Sequence, residues 1–536
     1  MGRRRQATRQ PGRRGAAPRS RGRDTIPSAR DAVEALLREQ LGFRGFRPGL
    51  EAEAERAAEV AERHSPARRD LTELHTFTVD PATARDFDDA VSAQREGEGA
   101  RVWIHIADVA AHVRPGSPLD VEARRRANST YVPGAVEPML PHALSSDACS
   151  LAPGVERLAV TAEIELGPGA VVRRTRFYRS LIRSDARLDY DQLDAIFAGR
   201  AAAPEEVAEP LAAAREVAAA LAEQRGNSSL DVESSEPEFE FDAKGNVIAA
   251  RAVAQTEAHR LIERLMILTN EQVAEFLERK RVPSIYRVHA QPDPARVERL
   301  LEQLAALGVP TPPLGQGLSA QQAGEVAAAA SRLARREAAR RGYGMEAYTS
   351  LVLRSLKQAQ YSERNSGHAG LGSSAYSHFT SPIRRYPDLL VHRALLAALG
   401  EGEEAPKRAE ARDVAADCSA QERESAKIER GADDVCAAYL LERELGKRGL
   451  DAVFEGEISG VIRAGAFVGF GGELGDVYEG MLPARALPGG RYELNEAEVA
   501  LVGRSGATLR LGDPIAVRVT GVDPGRGRVD LELAVG

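Results

Sequence analysis

The 536-residue sequence predicts an α+β protein in which a mixed β-sheet core surrounded by helices is followed by a small β-barrel, with a small helical head at the N-terminus. Three observations carry this. Apolar residues alternate with period two from His75 and again from Leu158, long stretches with helical spacing occupy the middle of the chain, and the segment after 450 breaks into short alternating runs punctuated by glycine. The organisation expected is a basic tail at 1–23, a helical domain at 24–70, a large domain at 71–449 and a barrel at 450–536.

Residues 1–23 hold nine arginines, no acid and few apolar groups, so disorder is expected there. From Ser28 the spacing of Val33, Leu36, Leu37 and Leu41 is helical; Gly42 to Gly49 interrupts it, and Glu51 to Arg63 resumes. Strands follow at His75–Val79, Ala90–Gln94 and Arg101–Val109, with Asp80 to Asp88 as a loop, and then at Leu158–Leu166 and Val171–Ile182 around a Gly-Pro-Gly turn. Helices are expected at Pro204–Arg225, His259–Arg281, Ala320–Gln360 and Lys407–Leu445. Five short strands, Glu455–Ser459, Ala466–Gly469, Gly480–Pro483, Pro514–Val519 and Arg528–Leu533, suit a small closed barrel.

Composition narrows the function classes. Three cysteines, Cys149, Cys418 and Cys436, have no paired spacing, which argues against a disulfide framework or a thiolate zinc site and for a reducing cytoplasm. No apolar run approaches the ~20 residues of a membrane span, and no apolar stretch follows the basic N-terminus as in a secretory signal. Net charge is −7, and removing the nine tail arginines leaves −16 on the body. Such a body can hold a polyanion only in a locally lined groove or channel.

The sharpest feature is the run from Asp80 to Asp89, in which Asp80, Asp86, Asp88 and Asp89 place four carboxylates in ten residues. Their mutual repulsion is relieved by hard divalent cations such as Mg²⁺ or Mn²⁺. Two such ions ~3.5–4 Å apart suit phosphodiester hydrolysis. A solvated acidic turn is the plain alternative; an EF-hand loop lacks its glycine and its terminal glutamate. A second segment, Tyr376 to Asp388, carries Arg384 and Arg385. Ser381 as N-cap with Pro382 at the first helical position would put Arg384 in a first turn, where an anion is favoured. Asp388 can pair with either arginine.

Taken together these segments resemble the ribonuclease II/ribonuclease R family, the RNB exoribonucleases. The supporting motifs fall in family order: Tyr131-Val-Pro-Gly, Met139-Leu-Pro, Cys149-Ser-Leu, Tyr190-Asp-Gln, His259-Arg-Leu-Ile-Glu263, Tyr286-Arg-Val-His289, Leu353-Arg-Ser-Leu-Lys-Gln-Ala and His378-Phe-Thr-Ser-Pro-Ile-Arg-Arg-Tyr-Pro-Asp-Leu. The barrel is similar to an S1 domain of OB-fold type, through Gly456-Glu-Ile-Ser-Gly, Gly465-Ala-Phe467-Val, Glu479-Gly-Met-Leu-Pro and Leu511-Gly-Asp-Pro.

The resemblance implies a two-Mg²⁺ site at Asp80, Asp86, Asp88 and Asp89, with Mn²⁺ a possible substitute and Asp88 the least dispensable. It makes Arg384 the grip on the scissile phosphate, with Arg385 beside it, and Tyr131 a base-stacking residue. Tyr190 and Glu263 match positions that check the ribose 2′-OH. In the barrel, Phe467, Phe470 and Tyr478 are candidate stacking platforms, each as compatible with core as with platform.

Two departures from the family pattern stand out. Val232 occupies the position of a base-clamping phenylalanine, and the segment before 71 is too short and too helical for the usual pair of cold-shock barrels, so a helical or winged-helix-like head is expected instead. The function implied is hydrolytic 3′-to-5′ degradation of single-stranded RNA to nucleoside 5′-monophosphates, by a monomer with no membrane association. A non-catalytic RNA-binding protein with the same fold is the rival, and a DNA nuclease a third reading disfavoured by Tyr190 and Glu263.

Overall fold

The computed structural model describes residues 28–63, 68–225, 236–253, 255–313, 315 and 317–534. The basic tail and Val232 lie outside the described residues.

A seven-stranded sheet forms the centre, in the order Arg69–Asp70, Val172–Arg183, Glu156–Leu166, Gly99–Ala107, Asp89–Glu96, Phe77–Val79 and Ala186–Leu188. The outermost pairings are parallel and the inner ones antiparallel. Gly99–Ala107 is buried on both faces from Trp103 onward rather than alternately, because helices cover the sheet there. Ala208–Arg225 and Glu257–Lys280 pack on this core with the almost wholly buried helix Tyr386–Leu399.

The head does not carry a core of its own. Ser28 and Asp31 form a capping box at the start of Ala29–Leu41, whose Val33 and Leu37 are buried in the cluster shared with the long helix Arg408–Arg448. Pro48–Arg63 instead adds Ala54 to the main core. Residues 28–63 contain no strand, so the winged-helix alternative is not formed there.

The helix expected over 320–360 is two helices, Ala320–Arg341 and Met345–Ser355. Gly342 and Gly344 sit at φ +79° and +85°, a left-handed conformation that stops the first helix and turns the chain into the second. Where Gly344 turns, a Cβ would meet the Tyr348 ring at 2.7 Å.

The C-terminal strands Val453–Ile462, Gly465–Phe470, Tyr478–Pro483, Pro514–Asp523 and Arg528–Leu533 close into a barrel. An unanticipated three-stranded sheet, Tyr492–Leu494, Ala500–Gly503 and Thr508–Arg510, is inserted between its third and fourth strands. The 41-residue helix Arg408–Arg448 touches the head, the sheet domain and the barrel in turn.

Candidate active site

The loop between Phe77–Val79 and Asp89–Glu96 presents the four aspartates, and backbone bonds at both ends make its path definite. Asp80 N–H donates to the Leu188 carbonyl at 3.2 Å, and Ala107 N–H donates to the Asp88 carbonyl at 2.9 Å. Between them Ser150 Oγ accepts from Phe87 N–H and donates to the Arg85 carbonyl, while Arg187 donates to the carbonyls of Pro81 and Ala82. Phe87, buried between Asp86 and Asp88, turns its ring to the core.

The carboxylates share one electrostatic neighbourhood. Burial, then the charges of Asp89, Asp88 and Asp86, push the Asp80 carboxyl far above the usual carboxylate range. Burial raises Asp88 as well, against the Arg384 charge and the Ile383 N–H, which donates to Asp88 Oδ1 at 2.8 Å. Asp89 is raised by burial, opposed by Arg384 and Arg385. Asp80 Oδ2 and Asp88 Oδ2 are buried without a hydrogen-bond partner. Buried oxygens left so are costly unless a cation completes them. Among the described residues no group of three or more acid, imidazole or thiol side chains is disposed to hold a metal ion.

The arginine segment closes over this loop in a way the sequence did not indicate. The helix begins at Tyr386, with Pro387 in its first turn, so Ser381 is not an N-cap and Pro382 is not a helical residue. Residues 381–385 instead form a turn: Ser381 N–H donates to the buried Asp388 Oδ1 at 2.8 Å, and Arg385 Nη2 lies 2.7 Å from the same oxygen. That turn aims the Ile383 N–H at Asp88 and leaves Arg384 45% exposed with Nε 3.4 Å from Asp88 Oδ2. Arg384 thus stands beside the aspartates, whereas Arg385 is paired with Asp388.

Two tyrosines stand beside the aspartates. Ser129 N–H donates to the Arg384 carbonyl, and two residues on, in the hairpin Thr130–Val132/Ala135–Glu137, Tyr131 donates its hydroxyl to Asp86 Oδ2 at 2.8 Å. Its backbone N–H is held by Glu429 of the long helix at 2.9 Å, and its ring is 41% exposed. Tyr190 opens the helix Tyr190–Phe197 and stacks on His259 with centroids 3.9 Å apart; burial and the charges of Asp89 and Asp80 raise its hydroxyl pKa. Glu263 is exposed on the helix of His259, one turn further along.

Against this geometry stand the comparisons with known proteins. The sequence model of the RNB domain matches residues 68–401, most of the chain. The chain belongs to the RNB family. The model of the S1 RNA binding domain matches residues 447–534. Ribonuclease R of Escherichia coli strain K12 is 35% identical over 495 residues, covering 89% of this chain and 58% of the relative. That of Aquifex aeolicus is 36% identical over 492 residues, covering 89% and 66%. A solved Mycoplasma genitalium RNase R in complex with ribose-methylated single-stranded RNA superposes with a TM-score of 0.85 at 27% identity, covering 94% of this chain and 78% of that one. The chain therefore spans just over half the length of the Escherichia coli relative.

Within the S1 barrel the three aromatic candidates separate. Phe470 and Tyr478 are 4% and 2% exposed, packed with each other and with Phe454 in the barrel core, so neither is a stacking platform. Tyr478 donates its hydroxyl at 2.9 Å to Glu444 of the long helix, a carboxylate that also accepts from the Glu473 and Leu474 N–H groups. Phe467 is half-buried on the opposite face of its strand, lying against Gly460, where a Cβ would come within 3.3 Å of the ring. Two residues the sequence reading undervalued, Asp388 and His259, hold the turn and the tyrosine in place. Asp388 was visible only as a charge near two arginines.

Proposed function

We propose that this RNB protein is a metal-dependent hydrolytic exoribonuclease that degrades single-stranded RNA from its 3′ end to nucleoside 5′-monophosphates. The observation that carries the reading is the pair of buried carboxylate oxygens without a hydrogen bond, Asp80 Oδ2 and Asp88 Oδ2, the second of which has only the ion-pair contact of the exposed Arg384. That donor set fits hard divalent cations, with Asp80, Asp86, Asp88 and Asp89 to hold two Mg²⁺, or Mn²⁺ in their place. The chemistry such ions supply when bound is Lewis acidity toward a phosphate and its attacking water.

The chain's own groups do the rest. Arg384, 45% exposed beside Asp88, forks onto the scissile phosphate and fixes it over the carboxylates. Tyr131 offers an exposed ring to a base near the cleavage point, while its hydroxyl steadies Asp86. Tyr190 and Glu263 read the ribose 2′-OH, with Tyr190 held in orientation by the His259 ring. Phe467 stacks bases on the barrel. The Mycoplasma relative bound to single-stranded RNA supports the choice of ligand. The three cysteines of this chain, Cys149, Cys418 and Cys436, are free and buried, as a reducing cytoplasm would keep them, and we take the protein to act there as a monomer.

The test is RNA labelled at either end, incubated with Mg²⁺, with EDTA, and with the Asp88→Asn variant. The expected result is immediate mononucleotide release from the 3′ label, a short residue from the 5′ label, and persistence of RNA in both controls. RNA that is bound but left intact with Mg²⁺ would overturn the proposal in favour of a binding protein.

A further inference from the structure

The catalytic domain and the barrel meet along a seam whose chemistry the aspartate site does not use. A cleft of about 490 Å³ opens there, between the helices Pro294–Ala306 and Met345–Ser355 on one side and the barrel on the other. Arg296 and Arg299 come from the first helix, Arg354 from the second, and Arg463 from the turn between the first two barrel strands. Among the described residues the one acid lining it is Glu498, and Arg299 lies 3.7 Å from that carboxylate while also pairing with Glu302 and donating to the Glu496 carbonyl.

Arg296, Arg354 and Arg463 are exposed, and among the described residues none of the three has an ion pair or side-chain hydrogen bond. Other exposed arginines of the chain are also without acid partners, but these three line one cleft together, in a chain whose net charge is −7. Three unpaired guanidinium groups from three elements line the cleft and give it a positive potential that attracts a polyanion. The turn bearing Arg463 and the exposed Ile462 leads straight into Gly465–Phe470, the strand that presents Phe467. A basic groove beside an accessible aromatic is what a single-stranded nucleic acid requires.

We propose that this seam cleft is a second contact for RNA, holding the phosphodiester backbone of a single strand apart from the aspartate loop; it rests on the exoribonuclease reading above. Arg296, Arg354 and Arg463 fork onto successive phosphates, and Arg299 stays with Glu498 to hold the barrel insertion against the helix. Because the groups belong to both domains, the strand is gripped only while barrel and catalytic domain are seated on each other.

The experiment measures binding of a fluorescein-labelled oligoadenylate of about 20 nucleotides in EDTA, across a range of KCl, by anisotropy. Wild type is compared with the triple variant R296Q/R354Q/R463Q and with R296K/R354K/R463K. The glutamine triple is expected to bind at least about tenfold more weakly at low salt, and to lower the slope of log affinity against log salt by about 2, since a single strand contributes roughly 0.7 per contact. The lysine triple keeps the slope because it keeps the charges. A glutamine triple with wild-type affinity and slope overturns the cleft, as does a lysine triple as weak as the glutamine one. Wild-type protein that leaves RNA intact with Mg²⁺ removes the exoribonuclease reading itself, so the two failures are distinct.

Discussion

Replacing Asp388 by alanine tests the turn that brings Arg384 to the aspartates. The change removes the 2.7 Å partner of Arg385 and the 2.8 Å acceptor of the Ser381 N–H. Breaking one side of a buried ion pair costs about 3–5 kcal/mol. Asp388 is fully buried but Arg385 keeps 22% of its side chain in solvent, which places the expected loss near the lower end, about 3 kcal/mol. Urea unfolding followed by circular dichroism reads this as a lower midpoint at unchanged slope. The turn also sets the direction of the Ile383 N–H and of Arg384, so hydrolysis under single-turnover conditions should fall by about 100-fold, the scale of a misplacement near 1 Å. The double variant Arg385→Met/Asp388→Leu separates the two effects. Removing both charges together relieves the stranded guanidinium and leaves only the unsatisfied Ser381 N–H, a residual loss of about 1–3 kcal/mol, yet hydrolysis stays low because the turn remains untethered. Wild-type stability and wild-type turnover in Asp388→Ala would refute the argument, and recovered turnover in the double variant would refute the positioning role.

Three further outcomes are expected. His105, buried between Ser92 and Thr161, has its pKa lowered by burial to about 3 against an ordinary 6.5, so the unfolded chain binds its proton first and stability drops as pH falls from about 6.5 toward 3. Summed over that window the loss reaches roughly 5 kcal/mol, and His105→Gln should flatten it in urea titrations between pH 7 and 4. Phe467→Ala should weaken oligonucleotide binding by about 1–3 kcal/mol with the barrel intact, whereas Phe470→Ala should destabilise the barrel by about 3–5 kcal/mol in thermal unfolding; the reverse pattern would restore Phe470 as a platform. Glu444→Ala strands the Tyr478 hydroxyl and the N–H groups of Glu473 and Leu474, so the barrel should melt earlier by about 3 kcal/mol; Tyr478→Phe in that background should cost little more.

What was legible in the sequence was whatever is written locally. The aspartate loop, the strands beside it and the five barrel strands follow from short-range alternation and from charge density, and the RNB and S1 motifs follow from order along the chain. The break at Gly342–Gly344 was not legible, because the alanine-rich segment before it and the Met345–Ser355 segment after it both have helical spacing, and the positive φ of two glycines ends the first helix. The inserted sheet was missed because strands of three and four residues establish no alternation. Ser381-Pro382 carries the signature of a helix start, but a carboxylate seven residues later captures the serine N–H and makes a turn of it. The sequence left Phe467, Phe470 and Tyr478 open between core and platform because the face a barrel strand turns inward depends on register; Phe470 and Tyr478 lie in the core and Phe467 on the opposite face.

The unbroken helix Arg408–Arg448 has a consequence for how far a strand reaches. Glu429 fastens the backbone of Tyr131, and Glu444, fifteen residues on, fastens Tyr478 of the barrel. At the helical rise those two fasteners stand about 22 Å apart. The interval is that of a caliper with rigid jaws, insensitive to the looseness of any surface segment. Adding a turn of four residues between them would lengthen it by about 6 Å and swing the barrel by about 40°, so the gauge changes only in coarse, rotated steps.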